Sequence, residues 1–354
     1  MNLLFLCYTN IRIGGNMRKK QKRTSSKWFL VVILFLSLVG IVLCSQTLFQ
    51  KQEIMNSEKP KIQVIDEESK SRPYAVMINN LSVARKYHSG LQDAYLVYEM
   101  IVEGGITRFL AIFQDTDTSV IGPIRSARPY YLDYVMEHDA YFVHWGFSEE
   151  AKKDIKTYGI QNLNGLYQDR YFWKDRTLPV ATEHTAFTSM EKLKQGIHDS
   201  SYRNIRKGNF LFSYSSEEVN LEEGSTANVI EIPYSNSSVT SYRYNQETKL
   251  YERFVNQEPH VDYVTKKQYT AKNIITYQVK NTSIDSYGRQ KLDTVSKGEG
   301  YYITNGVAKK IMFEKTSRSG KTKYTYLDGT EVVLNDGNTW IQIQPTSQSF
   351  IITE

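Results

Sequence analysis

Charged and apolar residues are segregated at the start of the 354-residue chain. Residues 28–50 contain no charged side chain, whereas residues 1–44 contain seven basic residues and no acidic one. An uncharged, mostly apolar run of this length can span a bilayer as a helix. Basic residues ahead of such a run predict that its N-terminal end stays in the cytoplasm. We therefore predict a basic cytoplasmic segment at residues 1–27, a signal anchor or signal peptide at residues 28–50, and a charged linker at residues 51–71. The body is then expected at the cell membrane, on its extracytoplasmic side.

Cys44 leaves two alternatives open for the apolar segment. Lipidation of this cysteine after signal cleavage would make the chain a lipoprotein, although bacterial lipoboxes have a small residue where this chain has Leu43. The other alternative is an uncleaved signal anchor with an incidental cysteine. Three basic residues follow Met17, as they do in many signal segments, so translation is expected to start there or at Met1.

A β-hairpin is predicted near residue 104. Two β-rich runs, residues 95–102 and 106–113, flank the short sequence Glu103-Gly-Gly. Each run contains one isolated charge, Glu99 in the first and Arg108 in the second. A charge in a buried strand is costly unless it is paired, so these two side chains are expected to meet across the hairpin.

The remaining pattern predicts two domains. Helical spacing at residues 126–139, 148–158 and 188–198 alternates with short apolar strands, which is typical of an α+β or α/β domain at residues 72–201. Short β-patterned segments separated by Asn-Gly and Asp-Gly turns follow, and they predict a mostly antiparallel, β-rich domain at residues 225–348. The predicted strands of this second domain are residues 229–234, 240–245, 250–255, 273–279, 300–305, 324–326 and 339–344.

Charge and motif content exclude several function classes. The N-terminal segment holds seven of the 44 basic residues, which leaves 37 against 38 acidic residues in residues 45–354. Such a balance is not that of a nucleic-acid-binding protein, so no nucleic-acid partner is expected. The only cysteines are Cys7 and Cys44, so the body can form no internal disulfide. We find no phosphate-binding loop, dinucleotide fingerprint or zinc-ligand spacing, and we predict neither a cofactor nor a metal.

Several motifs occur together in a specific order: RPYAVMIN at residues 72–79, Glu99, EGGITR at 103–108, GPIRSARP at 122–129, and WIQIQP at 340–345. With these motifs the chain resembles the YerB-like family of bacterial lipoproteins, a domain family of unknown function. The resemblance covers about residues 72–345. It implies a two-part body on the bacterial cell surface and no established activity.

The resemblance also directs attention to residues 173–184, which read WKDRTLPVATEH. The family pattern has an Arg-Asp pair and a Pro-His-Asn sequence in this region. Asp175, Arg176 and His184 are the matching positions here and are implied as ligand-binding residues. The Pro-His pair is broken in this chain, which weakens the role of His184.

Two acidic residues are candidates for catalysis. Glu99 and Glu103 have the residue types of a glycoside hydrolase, in which one carboxyl acts as acid and the other as base or nucleophile. Strand spacing would place them about 13 Å apart along an extended chain. The alternative, which we favour, is a structural ion pair at Glu99 and a turn glutamate at Glu103. His144 is either a hydrogen-bonded core histidine or a supporting base.

A second candidate site binds anions. Arg125 and Arg128 lie three residues apart at the start of a predicted helix, and Arg108 is expected nearby. Guanidinium groups bind phosphate or carboxylate in bidentate fashion. Ser126 is interpreted as a ligand-site residue that caps the helix rather than as a nucleophile. The alternative is that these arginines pair with acidic residues and stabilise the domain.

Three hypotheses follow for the function. The first is a membrane-tethered protein that binds an anionic or glycan envelope component, such as a cell-wall polymer, through its arginines. The second is an envelope hydrolase that uses Glu99 and Glu103. The third is a scaffold that binds another envelope protein through its β-rich domain.

Overall fold

Helix α1 (Ser25–Ser57) contains the apolar segment. The computed structural model describes residues 25–57 and 61–354. The predicted basic segment 1–27 lies almost entirely outside these ranges, as do the two candidate start positions, residues 1 and 17. Within α1, Leu30–Thr47 has a mean hydropathy of 2.4, which makes the helix long and apolar enough to cross a membrane. This finding agrees with the predicted anchor.

Helix α1 continues past the end of the apolar run. Cys44 is a residue of this helix, and its side chain is exposed. The helix ends at Ser57, within the predicted linker. Later in that linker, Ile62 and Ile65 are buried in the core of the body. The backbone N–H groups of the two residues between them donate hydrogen bonds to the Asp336 carboxylate, at 2.8 and 2.9 Å.

Residues from Pro60–Glu354 form one compact unit, the body. Its helices are α2 (Ser82–Arg85), α3 (Pro129–Glu137), α4 (Glu149–Thr157) and α5 (Met190–Asp199), with short 3-10 turns at Leu91–Asp93, Glu103–Gly105, Asp169–Tyr171 and Thr182–His184. Its strands are β1 (Tyr74–Asn79), β2 (Leu96–Ile101), β3 (Thr107–Phe113), β4 (Tyr141–His144), β5 (Asn162–Asn164), β6 (Trp173–Lys174), β7 (Ala186–Phe187), β8 (Ser213–Ser215), β9 (Ser225–Thr226), β10 (Val229–Ser235), β11 (Ser238–Asn245), β12 (Leu250–Val255), β13 (Glu258–Pro259), β14 (Thr270–Ala271), β15 (Asn273–Val279), β16 (Asn281–Ser283), β17 (Gln290–Leu292), β18 (Lys297–Thr304), β19 (Val307–Glu314), β20 (Lys323–Tyr326), β21 (Val333–Asn335), β22 (Thr339–Pro345) and β23 (Ile351–Thr353). Helices lie mainly in the N-terminal half and antiparallel strands in the C-terminal half, as the sequence predicted.

An eleven-stranded mixed sheet contains strands from both halves. Its order is β20-β19-β18-β15-β22-β2-β3-β1-β4-β5, and β9 pairs with β19. Strand β22 lies between β2 and β15 and runs parallel to both. All seven residues of β22 are buried. The WIQIQP motif is therefore the strand that joins the two halves into one sheet.

A six-stranded sheet, ordered β13-β12-β11-β10-β23 with β14 paired to β12, packs against the first. Tyr234 on β10 donates a hydrogen bond to the Gln342 side chain at 3.0 Å. The Gln342 amide in turn donates to Tyr242 on β11 at 2.9 Å. All three side chains are buried, so the Gln342 amide is satisfied across the interface between the sheets, whereas the Trp340 indole N–H on the same face of β22 has no hydrogen-bond partner among the described residues.

Strands β2 and β3 form the predicted hairpin. Gly104 and Gly105 have φ values of 71° and 72°, a backbone conformation that glycine adopts without strain. The predicted pairing of Glu99 with Arg108 is wrong. Glu99 lies opposite Phe109, and Arg108 lies opposite Met100, so the two charges point to opposite faces of the sheet.

Helices α4 and α5 begin within two residues of their predicted starts, each with a serine at the N-cap. The Ser148 and Ser189 hydroxyls accept hydrogen bonds from backbone N–H groups in the first turn. Helix α3 starts later than predicted, at Pro129, because proline fits the first helical turn and keeps the preceding residue extended. Ser126 is therefore not its cap, and Arg125 and Arg128 lie in an extended segment rather than on one helical face.

Candidate functional site

Glu99 is buried between the two sheets. Its carboxylate accepts a hydrogen bond from Arg253 Nη2 at 2.7 Å, and neither side chain is exposed to solvent. The Thr107 hydroxyl donates at 2.7 Å and the Thr240 hydroxyl at 3.0 Å. A carboxylate that is held this completely has no access to a substrate. Glu99 is thus an ion-paired structural residue, and its partner comes from β12 rather than from the hairpin.

Glu103 binds two arginines on the opposite side of the hairpin. Arg128 donates from Nε at 2.5 Å and from Nη2 at 3.0 Å, a bidentate pair. Arg108 Nη2 lies 3.7 Å from the same carboxylate, and Arg108 Nη1 donates to the Ser126 carbonyl at 2.5 Å. Burial raises the pKa of Glu103, but the arginine hydrogen bonds and charges outweigh burial and lower it. Since Glu99 and Glu103 are neutralised by different arginines, the geometry does not support a two-carboxylate hydrolase.

Arg125 lies closer to the surface. Its Nη2 is 3.0 Å from Glu183 Oε1, and the Glu183 side chain is 58% exposed. His184 follows in the same 3-10 turn, where burial and the nearby Arg125 charge lower its pKa. Its Nε2 lies 3.5 Å from the same Glu183 oxygen. An exposed ion pair of this kind contributes little to stability, so an incoming anion can replace the glutamate.

Asp175 and Arg176 lie in the loop beside this turn. The Asp175 backbone N–H donates to the Thr185 carbonyl at 2.9 Å, which holds the loop next to His184. Hydrogen bonds from Thr177 to the Asp175 carboxylate lower its pKa. Arg176 is exposed and forms no ion pair with any residue of the two described ranges.

An aromatic surface adjoins these arginines. The Trp145 backbone N–H donates to the Arg125 backbone carbonyl, and Lys174 Nζ lies 4.7 Å above the Trp145 ring. Leu166 and Tyr167 are 53% and 70% exposed. We call this surface the basic face and define it by its cationic residues and its central tryptophan: Arg108, Arg125, Arg128, Lys174, Arg176 and Trp145. Arg108 and Arg128 share the Glu103 carboxylate and Arg125 pairs with Glu183, whereas Lys174 and Arg176 form no ion pair among the described residues. Even with the nearby Asp175 counted, these five cations exceed the three acidic side chains by two.

Two other candidates have structural contacts. The Ser126 hydroxyl donates to the Trp145 carbonyl at 3.0 Å. His144 is fully buried, with Nδ1 2.7 Å from the Gly146 carbonyl and Nε2 3.1 Å from the Asn162 side chain. Burial lowers the pKa of His144 to about 4. In the part of the chain that the structure describes, no group of three histidine, cysteine or acidic side chains is arranged to hold a metal ion.

A series of hydrogen bonds, which passes through the backbone and the side chain of Asn79, connects the buried ion pair to His184 beside the basic face. It runs from Glu99 through Arg253, His260, His88 and Asn79 to His184, and its five links measure 2.7, 2.6, 2.6, 2.6 and 2.8 Å. Because arginine only donates, His260 accepts at Nδ1 and donates from Nε2 to His88. His88 then donates to the Asn79 backbone carbonyl. Burial lowers the pKa of His88 to about 3. Both imidazoles are thereby neutral.

The last link defines the tautomer of His184. The Asn79 side-chain carbonyl accepts from the Leu81 N–H at 3.1 Å, so its amide group donates to His184 Nδ1. His184 therefore carries its proton on Nε2 and presents a hydrogen-bond donor to the basic face. Sequence reasoning missed this series. The only signal for it was Arg253, a charged residue that shares one strand face with Tyr251 and Val255 in a β-patterned segment.

Comparison with known proteins places the chain in a family. The N-terminal domain model of DUF3048, a protein of unknown function, matches residues 62–203, and the C-terminal domain model matches residues 230–341. The chain is 30% identical over 327 residues to the protein of Bacillus subtilis (strain 168) named Putative lipoprotein YerB, an alignment that covers 90% of this chain and 96% of that protein.

The fold is also similar to a solved structure. The crystal structure of the YerB protein from Bacillus subtilis matches with a TM-score of 0.71 and 28% identity, covering 80% of this chain and 94% of that one. The likeness to a protein named Putative lipoprotein, together with the apolar helix α1, indicates a membrane-associated protein of the cell envelope. The sequence-based resemblance is confirmed: this chain belongs to the YerB-like DUF3048 family.

Proposed function

We propose that the protein is a membrane-anchored binding protein whose body lies outside the membrane and holds an anionic glycan polymer of the envelope on its basic face. The observation that carries the proposal is the excess of positive charge around Trp145. Phosphate groups would bind the guanidinium groups of Arg125 and Arg176 and the Nε2–H of His184. A sugar or polyol unit would pack against the Trp145 ring.

The energetics of the ion pairs favour Arg125 over Arg128 as the ligand contact. The Arg125 side chain is 25% exposed and has an exposed partner, whereas those of Arg128 and Glu103 are each 14% exposed and form a bidentate pair. Replacing Glu183 by a phosphate as the partner of Arg125 costs little, because the surface pair of Arg125 and Glu183 contributes at most about 1 kcal/mol to stability. Breaking the partly buried pair would leave Glu103 without its main partner, which is far more costly.

The test is cosedimentation of the body with purified cell wall that retains or lacks wall teichoic acid, a phosphate-bearing glycopolymer. We expect salt-sensitive binding only to wall that retains the polymer. An Arg125→Gln/Arg176→Gln variant should bind about tenfold more weakly or worse. The matched control is Arg289→Gln, because Arg289 is also exposed and paired with a neighbouring acid, Asp285.

Released wall fragments are measured in the same samples. Equal binding of the double variant and the wild type would contradict the proposal. Equal binding to wall with and without the polymer would contradict it as well. Fragment release that disappears in a Glu99→Gln variant would instead support the hydrolase hypothesis.

A further inference from the structure

A cavity of about 460 Å³ lies between helix α2 and the segment that follows β12. This volume is within the range of small-molecule sites. Much of its wall is apolar and is formed by Val255, Pro259, Val261 and Tyr263. Val261 and Tyr263 are 36% and 39% exposed, so the cavity is open to solvent at one side. None of these residues belongs to the basic face.

Arg85 is the cationic group of this cavity. Its Nε donates to the Asn80 side-chain oxygen at 3.0 Å, and its Nη2 donates to the Asn80 backbone carbonyl at 3.0 Å. Nη1 has no hydrogen-bond partner, and the guanidinium forms no ion pair, among the residues that the structure describes. Burial, and then the charge of Arg253, lowers the pKa of Arg85 to about 10, so it remains cationic at neutral pH.

The charges behind Arg85 do not neutralise it. The nearby carboxylate is that of Glu99, which is already bonded to Arg253 at 2.7 Å. The imidazole of His260, at the cavity wall, is neutral because of its burial beside Arg253. Two arginines therefore share one carboxylate, and within residues 25–57 and 61–354 the positive charge of Arg85 has no counter-charge of its own.

The acidic residues in the cavity wall do not supply that counter-charge. Asp262 is committed to the backbone N–H groups of Gly90, Val264 and Thr265 and to the Tyr269 hydroxyl. Glu258 is exposed, and it is outnumbered by the two lysines of the wall, Lys86 and Lys266. Lys266 Nζ lies 4.1 Å above the Tyr263 ring. The open side thus combines cationic groups with apolar surface.

We propose that this cavity binds an amphiphilic anion, with its carboxylate or phosphate head on Arg85 and its apolar chain against Val255, Pro259 and Val261. The Arg85 guanidinium, which has no ion-pair partner among the described residues, would bind the anionic head. The apolar wall would bind the apolar chain. The proposal is independent of the basic face, because the two sites share no residue.

Calorimetric titration of the body with four probes tests the proposal: n-octanoate, n-octyl phosphate, n-octanol and acetate. The body is suitable because it has its own continuous sheet and core. We expect saturable binding of octanoate or octyl phosphate, with octanol and acetate each weaker by about tenfold or more. The preferred head group distinguishes a fatty acid from a phospholipid-like source.

Three variants locate the site. Arg85→Gln should weaken binding of the preferred anion by about tenfold and leave octanol unchanged. Val261→Ser should weaken the binding of both the anion and octanol. Arg289→Gln should change the binding of neither probe. Thermal unfolding of each variant shows whether it is folded.

Equal affinity of octanoate and octanol for the wild type would overturn the proposal, as would the absence of saturable binding. Unchanged anion binding in Arg85→Gln would do the same. If Arg85→Gln does not fold, the preference of the wild type for anions and the loss in Val261→Ser decide the question.

Discussion

Replacing Arg253 by methionine should destabilise the body by about 3–4 kcal/mol. The substitution removes the 2.7 Å bond to Glu99 and the 2.6 Å bond to His260. Breaking one partner of a buried ion pair typically costs about 3–5 kcal/mol. The hydrogen bonds from Thr107 and Thr240 remain and stabilise the abandoned carboxylate in part. Methionine fills much of the arginine's volume, so the cavity contribution is small.

Proton uptake by the folded variant sets an upper limit on the loss of unfolding free energy. Protonating an ordinary glutamate at pH 7 costs about 3.7 kcal/mol, and a folded variant can relieve the buried charge in this way. The folded variant then binds a proton that the unfolded chain does not hold. The difference in unfolding free energy between the variant and the wild type should therefore shrink by about 1.4 kcal/mol for each pH unit below 7, until the glutamate of the unfolded chain is also protonated.

Urea unfolding followed by tryptophan fluorescence measures these differences, since the Arg253 guanidinium lies 4.5 Å from the Trp340 ring centre. Glu99→Gln alone should cost a similar amount because it leaves two arginines without a carboxylate. The double variant Glu99→Gln/Arg253→Met should recover most of the loss, because removing both charges of a buried pair is often nearly neutral. Additive costs, or single-variant costs below about 1 kcal/mol, would refute the reasoning.

Three further predictions concern other parts of the chain. The pKa of His144 is about 4 in the folded state and about 6.5 when unfolded, so the unfolded state binds more protons between these two values. His144→Asn should therefore reduce the loss of unfolding free energy from pH 6.5 to 4.5 by about 2.2 kcal/mol in urea titrations. A Cβ at Gly165 would lie 2.2 Å from the Trp145 ring, so Gly165→Ala should displace that ring, shift the tryptophan emission and weaken wall binding, whereas unchanged emission would contradict the packing. Because α1 runs through Cys44 without a break, Cys44→Ala should leave the membrane fraction and the size of the protein unchanged; release of the variant from the membrane would instead favour lipidation.

Local signals in the sequence predicted local structure well. The hairpin followed from two β-rich runs around Gly104-Gly105, whose positive φ values suit glycine. Helical spacing at residues 148–158 and 188–198 predicted α4 and α5, whose first turns are capped by Ser148 and Ser189. Helix α3 was misplaced because Pro129 was not recognised as its first residue. Each of these features depends on residues only a few positions apart.

Long-range pairing could not be predicted in the same way. The hairpin register sends Glu99 and Arg108 to opposite faces, and nothing near Glu99 in the sequence identifies Arg253, 154 positions later, as its partner. The insertion of β22 between β2 and β15 is likewise non-local. The arginines of the basic face were named from the sequence as ligand-binding residues, which stays a prediction, and Trp145 and Lys174 join them only through the folded arrangement of β4 and β6.

The central claim is that the basic face binds a phosphate-bearing glycopolymer, and the most direct measurement is titration of the body with isolated wall teichoic acid at low and at moderate salt. We predict saturable binding that salt weakens and that quenches tryptophan fluorescence. Arg125→Gln/Arg176→Gln should lower the affinity by about tenfold, and Arg289→Gln should leave it unchanged. Identical affinities for all three proteins, or no binding at low salt, would contradict the account.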